Sequence, residues 1–262
     1  MNNVNKTLYI PLYGKAYVSK MGIILQDKRA EEIWDKEGFK LKGKSKSKWL
    51  AYYMGMRSRV FDNWVKDLID KEKDPTVIHI GCGMDSRSER IGTSKVCWYD
   101  VDFPQVIEER ERYYRETESY KMISADARNT DWLMQIKETK CAIVVMEGIC
   151  MYLSPEEIKS LLSGIADHFD RASILMDCYT VFAAKASKYK NPINDVGVTE
   201  VYGIDDPGEV ETKNSILFIR EHNMTPDCLI NELSGLEKAI FKKLYAGKVS
   251  KKMYRLYEFG KV

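Results

Sequence analysis

Residues Val77 to Asp85 read Val-Ile-His-Ile-Gly-Cys-Gly-Met-Asp, and Trp98-Tyr99-Asp100-Val101-Asp102 follows about 20 residues later. An apolar run enters a Gly-x-Gly turn, and a second apolar run ends in an acid. That is the layout of a nucleotide-type cofactor site at the edge of a parallel sheet. A dinucleotide fingerprint places a third glycine three residues after the second, and Ser86 stands there instead. It also leaves a helix N-terminus bare for the pyrophosphate. Here Asp85 is expected at that N-terminus, where its charge repels a diphosphate. The same carboxylate suits a ligand with an ammonium group and no phosphate, and S-adenosylmethionine is such a ligand.

Further acids follow other apolar runs. Ligands of open parallel sheets bind at the carboxyl ends of the strands. The first strand ends in Gly81, Gly83 and Asp85, where glycines let backbone approach a ligand without a Cβ. The second ends in Asp100 and Asp102. One acid there can accept from both ribose hydroxyls, and Asp102 is preferred because it stands in the Asp-Phe-Pro turn. Asp126, after Ser124-Ala125, is suited to accept from an adenine amino group, or to cap a helix. Glu147 follows the apolar run Ala142 to Met146 and precedes Gly148. A carboxylate among buried neighbours must be paired or hydrogen-bonded, so a site acid is the better reading. Tyr152 and Tyr179 follow the fourth and fifth strands, where they can line an acceptor pocket or pack as aromatics. His79 reads as a core histidine, and no catalytic residue is assigned.

The elements that must position these residues alternate. Strands are expected at Thr76–Ile80, Val96–Val101, Lys121–Ser124, Ala142–Met146 and Ser173–Asp177. Helices are expected between them, at Asp85–Ile91, Pro104–Arg115, Trp132–Ile136 and from a capped start at Ser154-Pro155-Glu156-Glu157. This pattern argues for a doubly wound parallel sheet. Residues up to about 71 read as helical, with Asp27 and Ser47 as candidate caps. After Cys178 the alternation breaks. Ser215–Arg220 is a possible strand, helix follows Pro226, and Met253–Phe259 alternates like a last, antiparallel edge strand. The division expected is a helical cap over 1–72, a cofactor-binding core over 73–180, a lid-like insertion over 181–212 and a C-terminal part of the sheet over 213–262.

The 262 residues suffice for one large domain. A net charge of +2 makes no global case for nucleic acid or membrane as a partner. Lys40, Lys42, Lys44, Lys46 and Lys48 alternate with Leu41, Gly43, Ser45 and Ser47, and read as a solvated loop rather than a polynucleotide patch. No stretch has the length of a membrane span, and the N-terminus lacks the apolar core of a signal peptide. Six cysteines without C-x-x-C pairs read as buried free thiols in a reducing cytoplasm. No metal site is expected.

The ordered set Val-Ile-His-Ile-Gly-Cys-Gly-Met-Asp-Ser-Arg, Tyr-Asp-Val-Asp-Phe-Pro-Gln-Val-Ile, Ser-Ala-Asp-Ala-Arg and Met-Glu-Gly-Ile-Cys-Met-Tyr-Leu-Ser-Pro-Glu-Glu resembles the leucine carboxyl methyltransferase family. Its bacterial members, which the chain resembles, are similar to an O-methyltransferase of polyketide synthesis. Stretches from Thr7 to Ala16, Gln26 to Ala30, Met56 to Asp62 and Tyr202 to Pro207 extend the likeness over nearly the whole chain. The resemblance implies a class I methyltransferase fold, Rossmann-like, with a seven-stranded, mostly parallel sheet. It implies S-adenosylmethionine as donor and S-adenosylhomocysteine as product. By motif position, Gly81 and Gly83 lie against the methionine part, Asp102 holds the ribose, Asp126 and Ala127 border the adenine, and Glu147 lines the donor site. A basic residue near the N-terminus and an arginine before the first strand are expected near the donor carboxylate. Lys15 stands where bacterial relatives tend to have Arg. Arg57 and Arg59 both fit the second role. The activity implied is methyl transfer to a carboxylate or hydroxyl of a small molecule. The alternatives are a non-catalytic S-adenosylmethionine-binding module and a nicotinamide-dependent oxidoreductase. A base-amino methylase is disfavoured, because Met146-Glu147-Gly148-Ile149 lacks the Asn/Asp-Pro-Pro-aromatic run. Acceptor, oligomeric state and pathway are not legible.

Overall fold

Continuous apolar runs of five or six residues require cover on both faces, and helices on either side of one sheet provide it. A computed structural model describes residues 4–39, 41, 43–137, 139–187, 201–212 and 215–261. The five expected strands are β1 (Thr76–Ile80), β2 (Cys97–Asp102), β3 (Tyr120–Ser124), β4 (Cys141–Met146) and β5 (Arg171–Tyr179). All five run parallel. The two late strands, β6 (Leu217–Glu221) and β7 (Tyr254–Lys261), complete the sheet as antiparallel members. The order is β3-β2-β1-β4-β5-β7-β6. The chain moves outward from β1 to β3 and then returns to the other side of β1 with β4. That reversal opens a crevice at the strand ends between β1 and β4.

Alternate residues of the central strands feed two cores. Val77, Ile143, Val145 and Leu175 face one side, where they meet Phe61, Trp64 and Val65. Ile78, Ile80, Val144 and Met146 face the other, against Leu161, Leu162, Ile165 and Phe169. The first side is covered by three N-terminal helices, α1 (Val4–Lys20), α2 (Lys28–Glu37) and α3 (Lys48–Lys71). Asp27 caps α2 through the Ala30 amide at 2.9 Å. Ser47 stands at the N-cap of α3, but its side chain makes no capping bond. The remaining helices are α4 (Arg87–Ile91), α5 (Pro104–Arg110), α6 (Pro155–His168), α7 (Val181–Ser187), α8 (Asp227–Ile230), α9 (Gly235–Leu244) and α10 (Lys248–Lys251). A full capping box between Ser154 and Glu157 starts α6.

Several boundaries differ from the spacing. α4 begins at Arg87, so Asp85 lies in the turn before the helix rather than at its N-terminus. α5 stops at Arg110, whose buried side chain binds Asp100 of β2. Thr130–Gln135 is a 3₁₀ helix. Cys97 is only half-buried and Cys228 is exposed, so the buried-thiol expectation holds for Cys82, Cys141, Cys150 and Cys178 alone. Lys40 and Lys42 lie outside the described residues, as do 188–200 of the expected lid. Gly43–Lys46 forms a 3₁₀ turn, and Lys48 is bound to Glu237 at 2.5 Å. No helix among the described residues is long and apolar enough to cross a membrane.

Candidate functional site

The turn after β1 is built on two glycines in the left-handed region. Gly81 has φ +70°, and a Cβ there would stand 2.8 Å from Ile149 Cδ1. Gly83 has φ +51°; its amide donates to Asp102 Oδ2 at 2.8 Å and its carbonyl accepts from Arg110 Nη1 at 2.8 Å. The end of β2 therefore fixes the turn after β1. Asp102 Oδ1 also accepts from the Phe103 amide at 2.8 Å. Burial raises the Asp102 pKa, against the pull of these two amides. Each oxygen keeps a lone pair for a further donor.

Asp100 is a different group. It is fully buried and accepts from Trp98 Nε1 at 2.8 Å, from the Tyr120 hydroxyl at 2.7 Å and from Arg110. Burial works against its charge more than any other single influence, but Arg110, His79 and Tyr120 together outweigh it and hold the carboxyl at about 2. His79 Nδ1 lies 3.4 Å from the same carboxylate, and Arg87 Nη1 lies 3.3 Å from Nε2. Burial lowers the His79 pKa, consistent with a core histidine.

A buried chain of charges runs beneath the crevice. Glu147 accepts from Arg57 Nε at 3.0 Å, from the Ser58 hydroxyl at 3.1 Å and from Arg87. Arg57 Nη1 reaches on to Asp177 Oδ2 at 2.8 Å, and Asp177 Oδ1 accepts from the Gly148 amide at 2.5 Å. Arg87 also binds Asp62 at 2.7 Å. Asp85 is enclosed by Lys15 at 2.8 Å, Arg90 at 2.6 Å and Arg87 at 3.3 Å. This arrangement corrects the expectation for Asp85. Three cations surround its carboxylate, so its charge is compensated within the protein rather than free. Burial raises its pKa, but Arg90, Lys15 and Arg87 more than reverse that and hold it well below the usual range.

Glu147 and Asp177 sit on the same arginine yet shift oppositely. Burial opposes the charge of both. At Glu147, Arg87 and Arg57 together outweigh burial and bring the pKa to about 2. At Asp177, burial outweighs Arg57, and the pKa rises. For Glu147 a depressed folded pKa means stabilisation that is complete above the unfolded value near 4.5 and is lost as pH falls toward about 2. Asp100 behaves likewise from 3.8 downward. Thermal midpoints measured against pH are therefore expected to fall steeply below about pH 4.5. A midpoint that is flat down to pH 3 would mean these carboxylates are not paired as described.

One cavity of about 1020 Å³ opens over the ends of β1 to β5. Lys15, Arg57, Gly81, Gly83, Asp85, Asp102, Asp126, Ala127, Glu147, Tyr152 and Tyr179 all line it. Asp126 lies at its margin, capping the Arg128 amide at 3.0 Å and gripped by the Arg128 guanidinium. Arg59 is the exception. It faces a separate hollow beside Gly22, Ile24 and Glu232, because one residue along α3 from Ser58 and two from Arg57 turn it away from the sheet. Of the two, Arg57 is thus the one at the cavity.

The residues missed by spacing are partners rather than walls. Arg87 and Asp177 carry the ion chain, and Arg110 ties β2 to the glycine turn. Asp177 follows the rule that singled out Glu147, an acid at the end of a buried strand. The end of the cavity beside β5 and β7, three or more strands from Asp102, is aromatic, with Tyr53, Tyr179 and Tyr254 packed together. Their codes resemble any core.

Comparison with known proteins agrees with this geometry. Over 218 residues the chain is 29% identical to the tetracenomycin polyketide synthesis O-methyltransferase TcmP of Streptomyces glaucescens, covering 81% of this chain and 80% of that one. Over 247 residues it is 26% identical to the S-adenosyl-L-methionine-dependent methyltransferase dpfgK of Gibberella zeae, covering 84% and 82%. The fold is similar to that of the magnesium protoporphyrin IX methyltransferase of Synechocystis PCC 6803, crystallised with bound SAH. That likeness has a TM-score of 0.54 at 13% identity and spans 95% of this chain and 97% of that chain. Residues 7–166 match the model of the leucine carboxyl methyltransferase family. With more than half its length matched, this chain belongs to the leucine carboxyl methyltransferase family and is a methyltransferase.

Proposed function

We propose that the protein methylates an oxygen, carboxylate or hydroxyl, of a small organic acceptor, with S-adenosylmethionine as donor. The observation that carries this reading is one continuous cavity with two unlike ends. One end has glycine backbone, Asp102 and the Arg57–Glu147 pair; the other is aromatic.

The residues fit the donor. A Cβ at Gly81 would clash with Ile149, so the turn admits only glycine there, and its backbone lines the cavity beside the methionine part. The free lone pairs of Asp102 accept from the ribose hydroxyls. Ala127 and the Asp126–Arg128 pair border the adenine. The methionine end is a zwitterion, and it meets Arg57 and Lys15 alongside Glu147 and Asp85, with both signs held in fixed positions. When bound, S-adenosylmethionine supplies an electrophilic methyl on a sulfonium. The acceptor oxygen bonds to that methyl carbon as the carbon–sulfur bond breaks, and the electron pair stays on sulfur.

What the chain contributes is alignment and exclusion of water. Burial raises the pKa of both Tyr53 and Tyr152, so they remain protonated; the Tyr53 hydroxyl is held by Met224 Sδ and Ser250, which leaves Tyr152 to donate to an acceptor oxygen. They do not act as bases near neutral pH, and His79 is committed to Asp100 and Arg87. A carboxylate, already ionised, is the acceptor these residues serve best.

Thermal unfolding with S-adenosylmethionine, S-adenosylhomocysteine and NADH in parallel tests the reading. A ligand at about 100 times its Kd adds about 2.7 kcal/mol, worth roughly 5–10 °C in a domain of this size. The expected result is a shift with both adenosyl ligands and none with NADH. A shift with NADH alone would overturn the proposal. Donor binding without product in a screen of organic acids and phenols would favour a binding module.

A further inference from the structure

The chain-wide charge of +2 conceals one uneven stretch. Residues 235–252 hold six lysines against one acid, Glu237. This stretch folds as α9 and α10. Glu237 is taken up by Lys48 at 2.5 Å and by the Tyr52 hydroxyl at 2.8 Å, on the side facing α3. It therefore does little to offset the outward lysines. Lys242 pairs with Asp227 at 2.8 Å and Lys251 with Glu221 at 3.4 Å. Lys243, Lys248 and Lys252 are exposed and meet no carboxylate among the described residues.

The same face carries an apolar row. α9 is anchored by Phe241, fully buried and packed edge-on against Tyr52. Along α9, Leu236, Ile240 and Leu244 recur at i, i+4 and i+8, flanking the side of the buried Phe241. Leu236 is 76% exposed and Leu244 53%. Val249 and Met253 continue the exposed apolar surface at 43% and 39%. Leu244, Val249 and Met253 also line the cavity, so this surface forms a mouth of the site.

We propose that the α9–α10 face docks on an anionic lipid surface, with the apolar row entering the headgroup region and the mouth of the cavity turned toward the bilayer. Unpaired lysines beside exposed leucines are the combination that an acidic lipid interface satisfies. The lysine heads meet lipid phosphates while the apolar side chains leave water. A polynucleotide would satisfy the lysines and leave the leucines exposed. The docking is peripheral and needs no spanning helix. It lets an acceptor with an apolar body pass from the bilayer to the aromatic end of the cavity. That last consequence rests on the proposed function; the docking does not.

The test is co-sedimentation of the full chain with vesicles of phosphatidylcholine alone or mixed with phosphatidylglycerol. Binding is expected only to the mixed vesicles, weakening as salt rises. The triple substitution Lys243→Gln, Lys248→Gln and Lys252→Gln is expected to lower vesicle affinity about 100-fold. Leu236→Asn, which keeps every lysine, is expected to lower it roughly 10-fold. None of these four side chains lines the cavity, so the thermal midpoint and its shift with S-adenosylhomocysteine should stay as in the parent. Absence of binding to the mixed vesicles, or binding untouched by the lysine substitutions, overturns the proposal. Binding that is indifferent to Leu236→Asn overturns the insertion of the apolar row. Failure of the donor reading leaves the vesicle result standing, so the two are separable.

Discussion

Replacing Glu147 by Gln is expected to destabilise the protein by about 3–5 kcal/mol, the range for removing one partner of a buried ion pair. The thermal midpoint should then fall by roughly 6–20 °C for a domain near this size. The substitution preserves shape and one acceptor oxygen, but it removes the charge that Arg57 and Arg87 share. Both guanidiniums are buried; Arg87 is sealed away from the cavity, whereas Arg57 borders it. Asp177 and Asp62 still hold one side of each arginine, so collapse is not expected. The double variant Arg87→Met, Glu147→Gln should lose less than the sum of its single changes, because the two groups interact directly. Chemical denaturation of the four proteins gives this cycle. A change below about 1 kcal/mol for Glu147→Gln would mean that the ion chain is solvated, and with it the account of acid sensitivity would fail.

Asp102→Ala carries the second large effect. A carboxylate that accepts from two ribose hydroxyls makes two charge-assisted hydrogen bonds, each worth about 1.5–3 kcal/mol. Their loss is expected to weaken S-adenosylhomocysteine binding about 100-fold or more, measured by calorimetry. Fold stability should change little by comparison. The Gly83 and Phe103 amides released by the change lie beside the open cavity, where water can replace the carboxylate. Asp100→Ala is the contrasting variant. It strips Arg110 of its counter-charge in a sealed core and should damage the fold first. Protonation gives an independent reading. Burial raises the Asp102 pKa, so donor affinity should begin to fall, as pH is lowered, at a higher pH than an ordinary aspartate implies. Equal affinity of Asp102→Ala and the parent would remove Asp102 from the donor site.

The physical contrast between these two acids shows where sequence reading reaches and where it stops. Asp100 and Asp102 lie on the same strand two residues apart, and their side chains fall on the same face by alternation. What separates them is depth. Asp102 stands at the strand end, beside a turn that begins at Phe103, and this was visible as the Asp-Phe-Pro turn. That Asp100 is consumed by Trp98, Tyr120 and Arg110 was not visible, because Tyr120 and Arg110 come from other elements. Likewise, Arg57 and Arg59 are indistinguishable by type and near neighbours by position. Only the rotation of α3 on the sheet sends one to the cavity and the other to a separate hollow.

By itself, the sequence determined the sheet, the glycine turn, the acids at the strand ends and the family. These depend on short-range properties: apolar runs that must be covered, φ values that favour glycine, and motifs in a set order. The tertiary structure decided which charges remain available. Asp85 reads as a free carboxylate in the sequence, yet it is surrounded by Lys15 from α1 and by Arg87 and Arg90 from α4. It also decided that lysines and leucines of α9 and α10 share one exposed face at the mouth of the cavity. Charge compensation and exposure are set by the sum of neighbours within a few ångströms, and most of those neighbours are remote in the chain.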